Sequence, residues 1–149
     1  MIEYTVRVYA DGTKAWHLND KLHREDGPAI EYANGSKEWY LNDKRHREDG
    51  PAIEYANGTK YWYLNGERHR EDGPAVELAN GDKYWWLNDK LHREDGPAVE
   101  HADGSKYWYL NDVHVTQADH KRRTTAVQEL TIAEIEALLG YQVKIVKEN

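Results

Sequence analysis

The stretch Gly58-Thr-Lys-Tyr-Trp-Tyr-Leu-Asn-Gly-Glu-Arg-His-Arg-Glu-Asp-Gly-Pro-Ala-Val-Glu-Leu-Ala-Asn80 is one copy of a unit that recurs every 23 residues. Gly12 to Asn34, Gly35 to Asn57 and Gly81 to Asp103 are further full copies. A fifth begins at Gly104 and breaks off after Asp112. The pentapeptide His-Arg-Glu-Asp-Gly occurs four times without change. A fixed period in the range of about 20–50 residues marks an array of small units, each unable to bury its apolar face alone.

One copy reads as a β-hairpin. Lys60 to Leu64 is short and aromatic, as strands are. Asn65-Gly66 breaks it, and residues 66–73 read as an eight-residue loop. Pro74 lacks an N–H, which places it at the start of the return strand Ala75 to Leu78. Asn80-Gly81 is a tight hairpin signal leading into the next copy. The expected fold class is mostly β: a single-layer antiparallel meander of about ten strands, two per copy, with a C-terminal helix-strand cap. The repeat array occupies residues 1–112, with copies starting at 12, 35, 58, 81 and 104, and the α/β cap occupies 113–149.

Alternation assigns two faces. Trp16, Trp39, Trp62, Trp85 and Trp108, with Leu18, Leu41, Leu64, Leu87 and Leu110, form the expected core face. Ile30, Ile53, Val76 and Val99 are placed as their neighbours. The opposite face carries Ala15, Glu38, Tyr61, Tyr84 and Tyr107, then His17, Tyr40, Tyr63, Trp86 and Tyr109. It grows more aromatic toward the C-terminus although the copies are otherwise near-identical.

The last third changes character. Residues 113–149 carry five positive and five negative charges, so the net charge of −7 lies wholly in 1–112. Thr116-Gln-Ala-Asp119 and Thr131-Ile-Ala-Glu134 both read as capping boxes opening helices, the second with Leu130 stapled onto Ile135. Gly140 ends that helix, and Tyr141, Val143 and Ile145 alternate as a final strand. Arrays of this kind need atypical terminal caps.

Composition excludes several classes. The 149 residues include six Trp and eleven Tyr but no Phe, too aromatic for a disordered chain and suited to a thin sheet whose rings keep one wet edge. With no Cys there is no disulfide, thiolate nucleophile or cysteine zinc site. No apolar run reaches the ~18–20 residues of a membrane span, and no signal-peptide core is visible at the N-terminus, so the expected compartment is cytoplasmic. Asn34-Gly-Ser and Asn57-Gly-Thr read as turns rather than glycan acceptors. The acidic balance argues against nucleic acid and anionic membranes as partners. Lys121-Arg122-Arg123 reads as a solvated helix face.

The segment Tyr55-Ala-Asn-Gly-Thr-Lys-Tyr61, followed by Asn65-Gly66-Glu-Arg-His69 and Gly73, resembles the MORN repeat family over residues 12–112. MORN units share the 23-residue period, the Asn-Gly-x-Lys-Tyr opening and the later Asn-Gly-x-x-His. They close with His-Gly-x-Gly, where this chain carries the longer, charged His-Arg-Glu-Asp-Gly. That variant, with the ending Leu130 to Val146, is similar to uncharacterised repeat proteins encoded by tailed bacteriophages. The resemblance implies a hairpin array serving as a scaffold or interaction module, with no catalytic residue to carry over. In the phage setting it implies a protein of the host cytoplasm that binds, and inhibits, a host or defence component.

Candidate chemistry is sparse. His23, His46, His69 and His92 each stand beside two carboxylates, but neighbouring copies are two strands apart, roughly 9–10 Å, too far to share one metal. The expectation is no metal and no cofactor. Arg24, Arg47, Arg70 and Arg93 are expected to pair with Asp and Glu of the same or adjacent loop, setting register between copies. Four identical Glu-Asp pairs make a poor asymmetric active site. The two serines, Ser36 and Ser105, adjoin turn glycines and offer no triad nucleophile. The chain therefore reads as a non-enzyme. Exposed aromatic patches mark interaction sites, which makes Tyr61, Tyr63, Tyr84, Trp86, Tyr107 and Tyr109 the candidate binding residues. The expected partner is a protein, with self-association through exposed sheet edges as a further route. The alternative is carbohydrate or small-molecule binding on the same aromatic face, since Tyr61 to Asn65 also resembles the aromatic hairpins of choline- and glucan-binding repeats.

Overall fold

A computed structural model describes residues 3–125. The expected second helix from Thr131 and the final strand after Gly140 lie outside the described residues.

Among the described residues, eighteen short strands make an antiparallel meander of hairpins, followed by one helical stretch at 117–125. The main sheet runs in chain order through Thr5–Val8, Lys14–Leu18, Ile30–Glu31, Lys37–Glu38, Ile53–Glu54, Lys60–Tyr61, Val76–Glu77, Lys83–Tyr84, Val99–Glu100, Lys106–Leu110 and Val113–Val115. Each full copy thus gives this sheet one outgoing and one return strand, as the hairpin reading expects.

The outgoing strand does more than the sequence reading allowed. After Lys60–Tyr61 the ladder is interrupted at Trp62, whose N–H donates to the Ala75 carbonyl at 2.8 Å. Tyr63–Leu64 then pairs with Glu67–Arg68 in a second, two-residue hairpin. Part of the expected loop 66–73 is therefore strand, and the second, third and fourth copies each contain four short strands and the first copy three, rather than two. The turn of this small hairpin has Asn65 and Gly66 both at positive φ, 52° and 89°. That is the two-residue geometry whose twist matches the flanking strands. Asn-Asp fills the same turn in the other copies, with Asp43 at φ 64° and Asp89 at φ 61°.

Register corrects the assignment of faces. Val76 lies opposite Tyr61 and Tyr84, and Ile53 opposite Glu38 and Tyr61. Directly opposed residues share a face, so the Ile/Val positions sit on the tyrosine side, not beside the tryptophans. Lys60 lies opposite Glu54 and Glu77 on the tryptophan side. A one-residue difference in pairing moves a whole strand's apolar set to the other face. Burial follows this register. Ile53, Val76 and Val99 are buried, as are Ala29, Ala52, Ala75 and Ala98, whereas the tryptophans are only half-buried. Among the described residues no large side chain is fully buried. Small alanines and β-branched residues, not a thick aromatic core, fill the interior.

Neighbouring copies are stitched by recurring hydrogen bonds. The Arg70 N–H donates to the Trp86 carbonyl at 3.1 Å and the Asp89 N–H to the Arg68 carbonyl at 3.0 Å. Within a copy, the Ala79 N–H donates to Thr59 Oγ1 at 3.0 Å and ties the closing turn to the opening one. At the C-terminal end Thr116 caps the helix, its Oγ1 accepting from the Asp119 N–H at 3.1 Å. No helix among the described residues is long and apolar enough to cross a membrane.

Candidate interaction surface

The His-Arg-Glu-Asp-Gly loops form a set of near-identical structural clamps. In the third copy the Arg70 guanidinium lies 4.1 Å from the centre of the Trp62 ring. Its Nε donates to Asp72 at 2.8 Å, and one NH₂ group reaches both the Pro74 carbonyl at 3.2 Å and Glu77 at 3.1 Å. The underside of the guanidinium rests on Gly73, where a Cβ would lie 2.8 Å from the Arg70 Cζ. Tryptophan, arginine and glycine are thus stacked, which explains why only glycine closes the pentapeptide. Arg24, Arg47 and Arg93 repeat the arrangement at 4.2, 4.0 and 4.1 Å from Trp16, Trp39 and Trp85. Each arginine hydrogen-bonds its Asp and holds Asp26, Asp49, Asp72 and Asp95 below the usual carboxylate range.

These ion pairs lie within a copy: Arg70 pairs with its own loop and its own return strand. The expectation that arginine sets register between copies is therefore corrected. Histidine does that work. Nδ1 of His46, His69 and His92 accepts the backbone N–H of Asn65, Asn88 and Asn111 in the following copy, at 3.1, 3.2 and 3.1 Å. The other ring nitrogen stands 3.6 Å from the glutamate two residues on. Among the described residues no group of three or more His, Cys, Asp or Glu is placed to hold a metal ion.

The opposite side carries the aromatic residues singled out from sequence, and the structure arranges them in two rows. In the first row Tyr61, Tyr84 and Tyr107 alternate across the sheet with Val76 and Val99. In the second row Tyr63, Trp86 and Tyr109 sit two residues further along the outgoing strands. Tyr61 and Tyr63 stack at 6.5 Å between ring centres. The rows include residues the sequence reading omitted. Tyr55 meets Tyr61 edge-on at 6.0 Å, and His101 lies between Tyr84 and Tyr107 at 5.9 and 5.7 Å. His114 stands 5.1 Å from Tyr109. The Arg45 guanidinium spans Tyr40 and Tyr63 at 5.6 Å from each, and that of Arg68 covers Trp86 at 3.6 Å. Tyr55 and His101 were findable, since each follows Ile53 or Val99 by two residues and so shares its face.

Exposure is uneven. Tyr107 is 43% exposed, whereas Tyr61, Tyr63, Tyr84, Trp86 and Tyr109 are half-buried. Burial pushes the Tyr63 and Tyr84 phenols above the usual tyrosine range. In the second copy Glu38 replaces the tyrosine and is itself buried. It accepts from the Tyr32 hydroxyl at 3.0 Å, the Tyr40 hydroxyl at 2.8 Å and Arg45 Nε at 3.2 Å. Burial, then the bond to Glu38, pushes Tyr32 up to about 12 and Tyr40 further. In the first copy Ala15 and His17 occupy these positions beside a groove.

The described part of the cap lies on the tryptophan side. His120 Nε2 donates to the Arg93 carbonyl at 2.6 Å, and helix residues Gln117 and Thr124 line a cavity of about 540 Å³ with Trp108 and Pro97. The helix thus sits beside the last tryptophan, leaving the tyrosine rows uncovered by residues 117–125. No family model matches the chain, and no curated protein matches it.

Proposed function

We propose that this chain is a non-enzymatic protein-binding repeat module whose partner docks on the tyrosine side of the C-terminal half. The observation that carries the reading is a row of rings, Tyr61, Tyr84 and Tyr107, alternating across the sheet with the buried Val76 and Val99 on the side away from the described cap helix. Tyr84, Trp86, Tyr107 and Tyr109 are the anchors, with Tyr107 the most exposed of the four. Rings of this type, held rigid by a paired backbone, lose little entropy on binding and commonly carry interface energy. A non-enzymatic role is supported by the loops, whose histidines and arginines are engaged in holding the chain together. The narrower reading, a MORN-like phage protein that inhibits a host or defence component in the host cytoplasm, rests on the sequence resemblance alone. The strand Thr5–Val8, exposed at every residue, is the edge through which copies would self-associate.

The test is a stoichiometric pull-down from bacterial lysate, identified by mass spectrometry, with the wild-type chain and a Tyr84→Ala/Tyr107→Ala variant. The variant should melt within a few degrees of wild type yet bind the captured protein at least about thirtyfold more weakly, the loss expected from removing a ~2 kcal/mol anchor. Equal binding by both chains would remove the aromatic side as the docking surface. Binding to a glycan array with no captured protein would favour carbohydrate recognition instead.

A further inference from the structure

Among the described residues the main sheet ends, beside the first copy, at Thr5–Val8. Every residue of this strand is exposed, Val6 at 44% and Val8 at 67%. Its inner side is taken by Lys14–Leu18, with Val6 opposite Trp16 and Arg7 opposite Ala15. Trp16 turns its own backbone the other way. Its N–H donates to the Ala29 carbonyl at 2.8 Å, and its carbonyl accepts the His23 N–H at 3.1 Å. Val6 therefore points its N–H and carbonyl at the free edge. Tyr9 points inward, its N–H donating to the Thr13 carbonyl at 2.9 Å. Alternation along the strand leaves Tyr4, Val6 and Val8 with their backbone groups outward. The residues that can pair with a further strand are thus the apolar ones, on the tryptophan side.

The strand's own sequence selects its occupant. Take antiparallel pairing with the same strand of a second copy, about a two-fold axis through Val6. Val6 then meets Val6 of the second copy, Tyr4 meets Val8, and Thr5 meets Arg7. Every outward backbone group of Tyr4, Val6 and Val8 finds a partner, and the side chains beside them are all apolar. An axis through Arg7 would instead set two guanidinium groups directly opposite each other, which is unfavourable. The other end of the sheet, Val113–Val115, offers no equal match. A two-residue turn is closed by a hydrogen-bonded pair, here Leu110 and Val113, so only His114 of that strand turns its backbone outward. Asp112 before it is committed to Leu91, and Thr116 after it caps the helix.

We propose that the chain forms a symmetric dimer through Thr5–Val8, the two main sheets joining into one across a two-fold axis at Val6. The inference rests on the reading of this strand as the self-association edge, and it fixes the partner strand and the register. A two-fold contact uses the same edge of both copies and closes the assembly at two, whereas a head-to-tail contact would continue into a fibre. The axis stands perpendicular to the sheet, because opposed residues share a face. Both tyrosine sides then look the same way, and the dimer offers two docking surfaces at once.

Sedimentation velocity over a concentration series reads the assembly, and the lack of cysteine lets a single introduced one report the register. Wild type should pass from monomer to dimer with no larger species. Val6→Pro removes only an outward N–H and suits an extended edge, so it should fold as wild type yet dimerise at least about tenfold more weakly, one decade of the dissociation constant. Val6→Lys keeps the N–H but opposes two ammonium groups, and should lose about as much. A hydrogen-bonded pair has its Cα atoms about 5.5 Å apart, within disulfide range. Val6→Cys should therefore oxidise to a covalent dimer, and Arg7→Cys, opposite Thr5 on the other face, should not. Tyr84→Ala/Tyr107→Ala should dimerise as wild type does, so loss of the dimer and loss of the docked partner are read separately. A wild type that stays monomeric up to ~1 mM, as it would were the edge taken by residues 126–149 of the same chain, would overturn the interface. So would growth into open polymers, or an undiminished dimer in Val6→Pro and Val6→Lys. Cross-linking of Arg7→Cys in place of Val6→Cys would overturn the register.

Discussion

The two sides of this sheet are made from the same strands and behave differently from copy to copy. On the tryptophan side, the arginine-to-ring distance stays between 4.0 and 4.2 Å in four copies, and the arginine-glutamate contact between 2.9 and 3.1 Å. On the tyrosine side, the equivalent positions are Ala15, Glu38, Tyr61, Tyr84 and Tyr107. The difference separates two tasks. The tryptophan side carries the near-identical clamps that fix each loop to its own copy, so a change there must be matched by the arginine, glycine and carboxylates of the same loop. The tyrosine side meets no such condition, and each copy can present its own chemistry: a groove in the first, a buried carboxylate cluster in the second, aromatic rings thereafter.

The contrast is broken most directly by truncating one ring on each side of the same copy. Trp62→Ala removes the platform under Arg70 and exposes Ala75, and should destabilise the chain by about 2–4 kcal/mol, toward the lower end of large aromatic truncations because Trp62 is only half-buried. Tyr61→Ala, on the opposite face from the Arg70 clamp, should cost about 1 kcal/mol, the scale of a lost cross-strand pair. Urea unfolding of both variants decides the matter. Equal losses would mean that the tyrosine side is as much scaffold as the tryptophan side.

A smaller effect sharpens the account of the clamp. In Gly73→Ala the new Cβ would lie 2.8 Å from the Arg70 Cζ, so the guanidinium must lift from Trp62 or the loop must shift. The expected cost is about 1–2 kcal/mol, typical of forcing extra volume into a packed contact. In the background of Arg70→Ala the same substitution should cost much less, because nothing then occupies the space. Additivity in this double-mutant cycle would show that Gly73 is required for backbone conformation and not for the stack.

The outline of this design was legible in the residues. The period, the antiparallel hairpins, the Thr116 cap and the thinness of the interior all follow from spacing and composition. What hydrophobic patterning did not resolve was the face on which Ile53 and Val76 lie. Both Tyr61 and Trp62 are acceptable neighbours for a β-branched residue, so a binary reading fits either register. The choice is made by polar contacts that such a reading does not weigh: the Trp62 N–H on the Ala75 carbonyl and the Arg70 stack that only Gly73 allows. The small hairpin was missed for a related reason. Glu67–Arg68 is polar and two residues long, and its pairing is visible only through the positive φ of Asn65 and Gly66. Of the candidate surface, the six aromatic residues were readable from alternation. The buried Glu38 was not, because a carboxylate in an aromatic row looks like a break in the pattern until Tyr32, Tyr40 and Arg45 are seen to converge on it.

That cluster provides the most local comparison, since it belongs to one copy and one side. Tyr32 is raised from 10.0 to about 12, by burial first and then by its bond to Glu38, and Tyr40 is raised further for the same reasons. The folded chain therefore favours the protonated phenols. Their contribution to stability is fully present below the unfolded value of 10.0 and is lost as pH rises through about 12. In Glu38→Gln the amide oxygen still accepts a hydrogen bond, but the negative charge that opposes phenolate formation is gone. Both phenols should then ionise at lower pH in the folded state, closer to their unfolded values. Wild type should lose more melting temperature than Glu38→Gln between pH 10 and pH 12, while the other nine tyrosines contribute alike to both. Substituting Glu38 should leave the clamps of the tryptophan side intact, because none of their contacts reaches it. If the two alkaline profiles coincide, the carboxylate does not govern the pair, and burial alone sets the behaviour of Tyr32 and Tyr40.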